Sequence, residues 1–299
     1  MRMPSRLIGA AATVAAVLAA ESHRAGVVSA QRPEPAAARE GYADLPGARL
    51  WYTDSGGDGA PVVLLHAATG SSRVWEYQVP AFAARGRRVI TYDRRGFGRS
   101  VVDPSGPQPG SGADDLRALL DRLGLGRVDV VGTAAGGIVA LDFALSFPER
   151  VRRLVVANSI GGVQDPEYLA LGARLRPAPQ FNAMPPDFRE LGPSYRAANP
   201  EGVQRWLALE RVSRPEGATP PAQAMHTRIT FAQLERLNIP TLLLTGDADL
   251  YAPPAVLRLF AARIRGASSV VVPEAGHSAY WEQPDVFNRA VLEFLASRE

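Results

Sequence analysis

The sequence contains no cysteine and no lysine; all 33 of its basic residues are arginine. Without thiols there are no disulfides, no thiolate metal ligands and no cysteine nucleophile. Without lysine there is no side-chain amine for Schiff-base chemistry. Histidine is scarce, with four in 299 residues (His23, His66, His226 and His277). A His-rich metal site is therefore not expected, and no metal or cofactor is predicted. The formal net charge is only +3, too small to imply a nucleic-acid partner. The partner expected is a small-molecule substrate, and the composition leaves oligomeric state open.

An apolar span long enough for a bilayer is also missing from the N-terminus. Leu7–Ala20 is apolar or small and is flanked by Arg2 and Arg6, but it is shorter than the roughly 20 residues that span a membrane. That pattern predicts a secretory signal over residues 1–30, with small residues at Val28-Ser29-Ala30 before a cut at Gln31. The mature protein would then be periplasmic or secreted, with no membrane anchor. Residues 31–40, QRPEPAAARE, read as a disordered linker.

What the sequence does have is an alternation of short apolar runs with helical patterns. Strands are predicted at Ala48–Thr53, Pro61–Leu65, Arg88–Tyr92, Val128–Val131, Arg153–Ala157, Thr241–Thr245 and Ser269–Val272. Several are continuously apolar, the mark of strands buried on both faces. Helices are predicted at Trp75–Ala84, Asp114–Leu123, Ile138–Leu145, Pro254–Ile264 and Pro284–Ser297. The rhythm implies an α/β fold with a doubly wound, mostly parallel sheet. It breaks between Ile160 and Asn238, where helical segments are expected at Asp165–Arg176, Pro186–Ala198, Glu201–Val212 and Met225–Leu237. The core is accordingly expected over 41–160 and 239–299, with an inserted helical cap over 161–238 at the carboxyl edge of the sheet, where such folds bind ligands.

The stretch Val128–Leu145, VDVVGTAAGGIVALDFAL, organises the chain. A strand runs into a glycine-punctuated turn and then into a helix, the context in which a Gly-x-Ser-x-Gly elbow presents a nucleophilic serine. The glycines stand at Gly132 and Gly136, but the middle position is Ala134.

With that stretch, three other motifs occur in order: His66-Ala67, the loop Asp93–Ser100, and Gly246-Asp247-Ala248-Asp249 with Pro253 followed by Gly276-His277. Together they resemble the α/β-hydrolase superfamily over nearly all of the mature chain. The resemblance implies that His277 is the base and Asp249 the acid that orients it, with Asp247 as the competing carboxylate. It implies backbone oxyanion donors at Ala135 and at Ala68 or Ala67. His66, Asp93 and Ser100 are implied to brace loops. Trp75 and Tyr280 are candidate substrate-contacting residues.

Alanine at position 134 cannot attack a carbonyl. Thr133, Ser71 and Ser72 are the nearest hydroxyls in sequence, and none falls on the nucleophile position. Four readings follow, one of them that Ala134 is itself a substitution made to trap a substrate; the other three take it as native. His277 and Asp249 activate water for hydrolysis of a small, mainly apolar carbonyl compound; His277 abstracts a proton in a lyase, isomerase or cofactor-free oxygenase; or the chain binds a ligand without chemistry. The retained acid and base favour chemistry.

Overall fold

In a computed structural model, the structure describes residues 39–103, 105–107, 110–214 and 221–297. The predicted leader and most of the predicted linker lie outside the described residues. Among the described residues no helix is long and apolar enough to cross a membrane.

Among the described residues nine strands form one sheet: β1 (Arg39–Leu45), β2 (Ala48–Asp54), β3 (Pro61–Leu65), β4 (Arg88–Tyr92), β5 (Val101–Val102), β6 (Val128–Thr133), β7 (Val151–Ala157), β8 (Thr241–Gly246) and β9 (Ser268–Val272). Their order is β1-β2-β4-β3-β6-β7-β8-β9, with β5 beside β2. From β4 to β9 all neighbours are parallel, whereas β2 pairs antiparallel with β1, β4 and β5. The mostly parallel doubly wound sheet is therefore present, with an antiparallel edge.

Why the strands are continuously apolar is visible in β3. Val62 and Leu64 pack into one hydrophobic cluster and Val63 and Leu65 into the other, because successive side chains point to opposite faces. All four are fully buried, each contributing roughly 1.5–3 kcal/mol relative to exposure.

Three expectations about local structure change. Arg39 and Glu40 are not linker; they open β1, in register with Asp54 and Thr53. The expected helix Trp75–Ala84 is a 3-10 turn at Ser72–Trp75 followed by a helix at Gln78–Ala83. The helix expected from Asp114 begins at Gly112, because Ser111 caps it: its hydroxyl accepts from the Asp114 N–H at 2.9 Å.

Between β7 and β8 the described residues contain helices and no strand: Pro166–Leu175, Gln180–Ala183, Pro186–Glu190, Pro193–Ala198, Pro200–Arg211 and Phe231–Leu234. The segment expected as one helix, Pro186–Ala198, is broken at Leu191-Gly192. Pro193 disfavours the helical conformation in the residue before it, and Gly192 is extended (φ −65°, ψ 152°). A Cβ on Gly192 would lie 2.9 Å from both the Glu274 carbonyl and the Gly276 nitrogen. The break thus lets the inserted helices touch the loop that carries His277: the Ser278 N–H donates to the Glu190 carbonyl at 3.0 Å.

Candidate active site

The loops after β3, β8 and β9 and the junction of β6 with its helix meet at one cavity of about 420 Å³, lined by Ala67, Ala68, Ala134, Ala135, Tyr251 and His277 from the core. This is the carboxyl edge at which open α/β sheets bind ligands.

Ala134 sits at φ 51°, ψ −117°, a region that costs an L-residue on the order of 1–3 kcal/mol. Its surroundings hold it there. The Ala134 N–H donates to the Ala157 carbonyl at 2.9 Å, and its own carbonyl accepts from Ser159 Oγ at 2.7 Å and from the Gly137 N–H at 3.0 Å. The two elbow glycines are required by close approach. A Cβ on Gly132 would stand 2.4 Å from the Gly136 carbonyl oxygen, and one on Gly136 would stand 2.2 Å from that of Leu65. The strained turn that presents a nucleophile is intact, with a methyl group where the hydroxyl would be.

The helix Ala135–Ser146 starts immediately after, so the Ala135 N–H has no partner within its own helix. Neither it nor the Ala68 N–H donates to a protein acceptor among the described residues. Both donors stand in the cavity wall, and the helix N-terminus adds partial positive charge.

His66 braces the loop that carries Ala68. The Arg94 N–H donates to His66 Nε2 at 3.0 Å, so the ring proton is on Nδ1, which donates to the Ala67 carbonyl at 2.7 Å. Burial, helped by the Arg94 charge, pushes the His66 pKa well below its ordinary value, so the ring is neutral. Asp93 accepts from the Ser72 and Arg99 N–H groups at 2.6 and 2.7 Å. Ser100 donates to the Asp93 carbonyl at 2.6 Å and accepts from the Trp51 N–H at 2.9 Å.

His277 and Asp249 meet. Nδ1 of His277 lies 2.9 and 3.0 Å from the two carboxylate oxygens, and both residues are buried. Asp247 is exposed, and its backbone N–H is engaged with the Val272 carbonyl. Burial pushes the Asp249 carboxyl up, but the charge and proton of His277, the Ala252 N–H and the Asn158 amide outweigh it and hold the pKa at about 2. For His277 burial acts downward, and the Asp249 carboxylate, with Glu190 and Glu282, raises the pKa above 6.5. The bonded Nδ1 leaves Nε2 as the ring nitrogen available for chemistry.

Four residues of this site escape the sequence reading. Asn158, at the end of β7 with φ 47°, donates from Nδ2 to Asp249 Oδ2 and to the Gly276 carbonyl, both at 3.0 Å. Tyr251 stacks on the His277 ring, with centroids 4.3 Å apart. Glu282 accepts from the Gly192, Gly276 and Ser278 N–H groups, fixing the His277 loop against the inserted helices. Glu190 lines the cavity, only 4% exposed. A strand-end asparagine in a positive-φ turn is the one signal the sequence offered, since Asn tolerates that region.

Two expected contacts are corrected. Trp75 and Tyr280 are 0% and 1% exposed and pack ring on ring in the core, with centroids 5.0 Å apart; neither lines this cavity. Trp75 instead borders a separate cavity of about 560 Å³ beside Trp51 and Arg99. Beside apolar side chains such as Ile138, Ile160 and Pro186, the inserted helices also bring Arg189, Glu190 and Glu210 to the lining, with Arg214 just beyond them. Thr133 is buried and, like Ser71 and Ser72, does not line the cavity; among its lining residues only Thr69 and Tyr251 carry hydroxyls. Among the described residues no three His, Cys, Asp or Glu side chains converge as metal ligands.

Residues 60–284 match the family model described as alpha/beta hydrolase fold. The chain is 31% identical over 278 residues to a 2-hydroxy-6-oxononadienedioate/2-hydroxy-6-oxononatrienedioate hydrolase of Burkholderia vietnamiensis, covering 83% of this chain and 91% of the relative. Among solved structures, it resembles a thermophilic esterase from Thermogutta terrifontis with malate bound (TM-score 0.71, 30% identity, 86% of this chain and 98% of the other). It also resembles a bromoperoxidase from Bacillus anthracis (TM-score 0.67, 26% identity, 87% and 100%).

Proposed function

We propose that this chain, which belongs to the α/β-hydrolase fold family, hydrolyses a small carbonyl compound by direct attack of water, with His277 as the base and no covalent intermediate. The observation that carries the reading is the retained His277–Asp249 pair, bonded at 2.9 Å, in the same cavity wall as two unpaired backbone donors.

In this mechanism His277 Nε2 takes a proton from water as the water oxygen bonds to the substrate carbonyl carbon. Asp249 fixes the ring and stabilises the imidazolium. The N–H groups of Ala135 and Ala68 receive the oxyanion. Collapse expels the leaving group, which takes up a proton as the one held by His277 is given back through solvent, and the acid product departs. The methyl of Ala134 gives water room that a serine hydroxyl would fill. A role in binding alone leaves the buried acid–base pair and the strained elbow unexplained. The polar lining at Arg189 and Glu190 favours a substrate with polar groups beside its reacting carbonyl. The relatives named above include a hydrolase and an esterase, which supports a hydrolytic reaction. The test is turnover of short acyl esters by wild type and by His277→Ala. Loss of all turnover in a folded variant is expected; retained turnover would overturn the assignment of the base.

A further inference from the structure

Two carboxyl groups of the cavity lining, Glu190 and Glu210, take no part in the mechanism above, and of these Glu190 is the more deeply buried. Glu190 ends the helix Pro186–Glu190 of the inserted segment. It lines the same cavity as His277 and Ala134, and its Oε2 is buried with no hydrogen-bond partner among the described residues. Its neighbours do not neutralise it with an ion pair. Tyr251, stacked on His277, borders the same cavity, and Arg189, beside Glu190 in sequence, acts on it only as a nearby charge. An unpaired buried carboxylate is costly, whereas a buried carboxylic acid needs only somewhere to send its proton. In keeping with this, burial raises the Glu190 pKa despite the opposing charge of His277.

We propose that Glu190 is a second catalytic residue of this cavity, the acid that protonates the leaving group as its bond to the carbonyl carbon breaks. This rests on the hydrolytic reading above. His277 takes one proton from water, and the water oxygen bonds to carbon. When the tetrahedral oxyanion collapses, the electron pair of the breaking bond leaves with the departing atom, and that atom takes the proton of Glu190. Glu190 is left as a carboxylate facing protonated His277. Transfer of the His277 proton to Glu190 through solvent restores both groups. One water is consumed, and nothing is oxidised or reduced.

The other groups about Glu190 are Asp249 and Tyr251 after β8, His277 after β9, Tyr280 in the helix that follows, and Arg189 on its own helix, with Glu210 and Arg214 in the same lining. Titration of any of these acts on every substrate alike. Titration of a leaving-group acid acts only where the leaving group needs a proton.

The test is pH–rate profiles on ethyl butyrate and p-nitrophenyl butyrate for wild type, Glu190→Gln and Glu190→Asp. In wild type, the ethyl ester rate is expected to fall at high pH while the nitrophenyl rate does not. Glu190→Gln is expected to lose about 10²–10³-fold on the ethyl ester, the range of general-acid catalysis, and less than about threefold on the nitrophenyl ester. The high-pH fall should vanish, and Glu190→Asp should retain more ethyl ester activity than the glutamine variant. Equal losses on both esters, or an unchanged ethyl ester rate, would overturn the proposal. Should Glu190→Gln not fold, the wild-type profiles decide alone: no high-pH fall, or the same fall on both esters, overturns it. His277→Ala is run in parallel. If that variant is dead on both esters while Glu190→Gln affects both equally, only the role of Glu190 falls. If His277→Ala keeps its activity, or wild type turns over neither ester, the hydrolytic reading falls and this inference with it.

Discussion

The two walls of the cavity differ in how their polar groups are settled. On the core side the side chains of the acid–base pair and its brace are bonded: Asp249 receives His277, Asn158 and the Tyr251 and Ala252 N–H groups, and His66 is bonded at both nitrogens. On the side of the inserted helices, Oε2 of Glu190 and Nε of Arg189 are buried without partners. The same burial that is overcome at Asp249, whose carboxyl is held at about 2, prevails at Glu190, whose pKa rises. The acid–base pair is set before substrate arrives, as a preorganised catalytic apparatus must be. The inserted wall has hydrogen-bonding capacity to spend on a ligand.

Breaking the acid–base pair should cost most. Asp249→Asn is expected to lower turnover about 10⁴-fold, because an amide behind the ring selects the wrong tautomer. Asp247→Asn should stay within about threefold. Steady-state kinetics on one ester check both, and sensitivity at Asp247 with silence at Asp249 would mean that the acid is misassigned.

Next in size, Asn158→Ala removes one donor from the Asp249 carboxylate. A hydrogen bond to a charged group is worth about 1.5–3 kcal/mol, so a loss of roughly 10–100-fold in kcat/KM and a lower thermal midpoint are expected. An unchanged midpoint and rate would show that the Asp249 cluster stands without it.

A smaller effect lies in pH. The His277 pKa is raised, so the neutral base appears only as pH climbs past a value above 6.5, and kcat/KM should rise through that region. Asp249 works the other way for stability. Its folded pKa is lowered to about 2 from 3.8, so its contribution is full above about pH 4 and is lost as pH falls towards 2. Thermal midpoints measured between pH 5 and 2 should decline for wild type more than for Asp249→Asn; equal declines would remove Asp249 as a cause.

The core wall was legible in the sequence because backbone geometry dictates its residues. Gly132 and Gly136 must lack a Cβ, the strands must be apolar on both faces, and the acid and base must follow β8 and β9. The inserted wall was not. The helix that carries Glu190 spans only five residues, too short for a periodicity to say which face meets the cavity. The break at Gly192, which seats Glu190 beside His277, depends on a contact with a loop about 85 residues away in sequence, a tertiary constraint that local pattern does not encode. Trp75 and Tyr280 were misread for a related reason: a large aromatic ring suits a pocket or a core equally well, and here the core took both. The strand β1 was hidden in a polar, alanine-rich stretch that forms a strand because β2 offers it an edge.

The central claim is that Ala134 leaves the enzyme without a covalent step. Mass spectrometry of the protein quenched during turnover of p-nitrophenyl acetate, read beside the early time course, tests it directly. The account predicts no burst and no acyl adduct on wild type, and both on Ala134→Ser, since that hydroxyl would meet His277 and the waiting N–H donors. An acyl group found on wild type at Thr69 or Tyr251, with a burst to match, would contradict it.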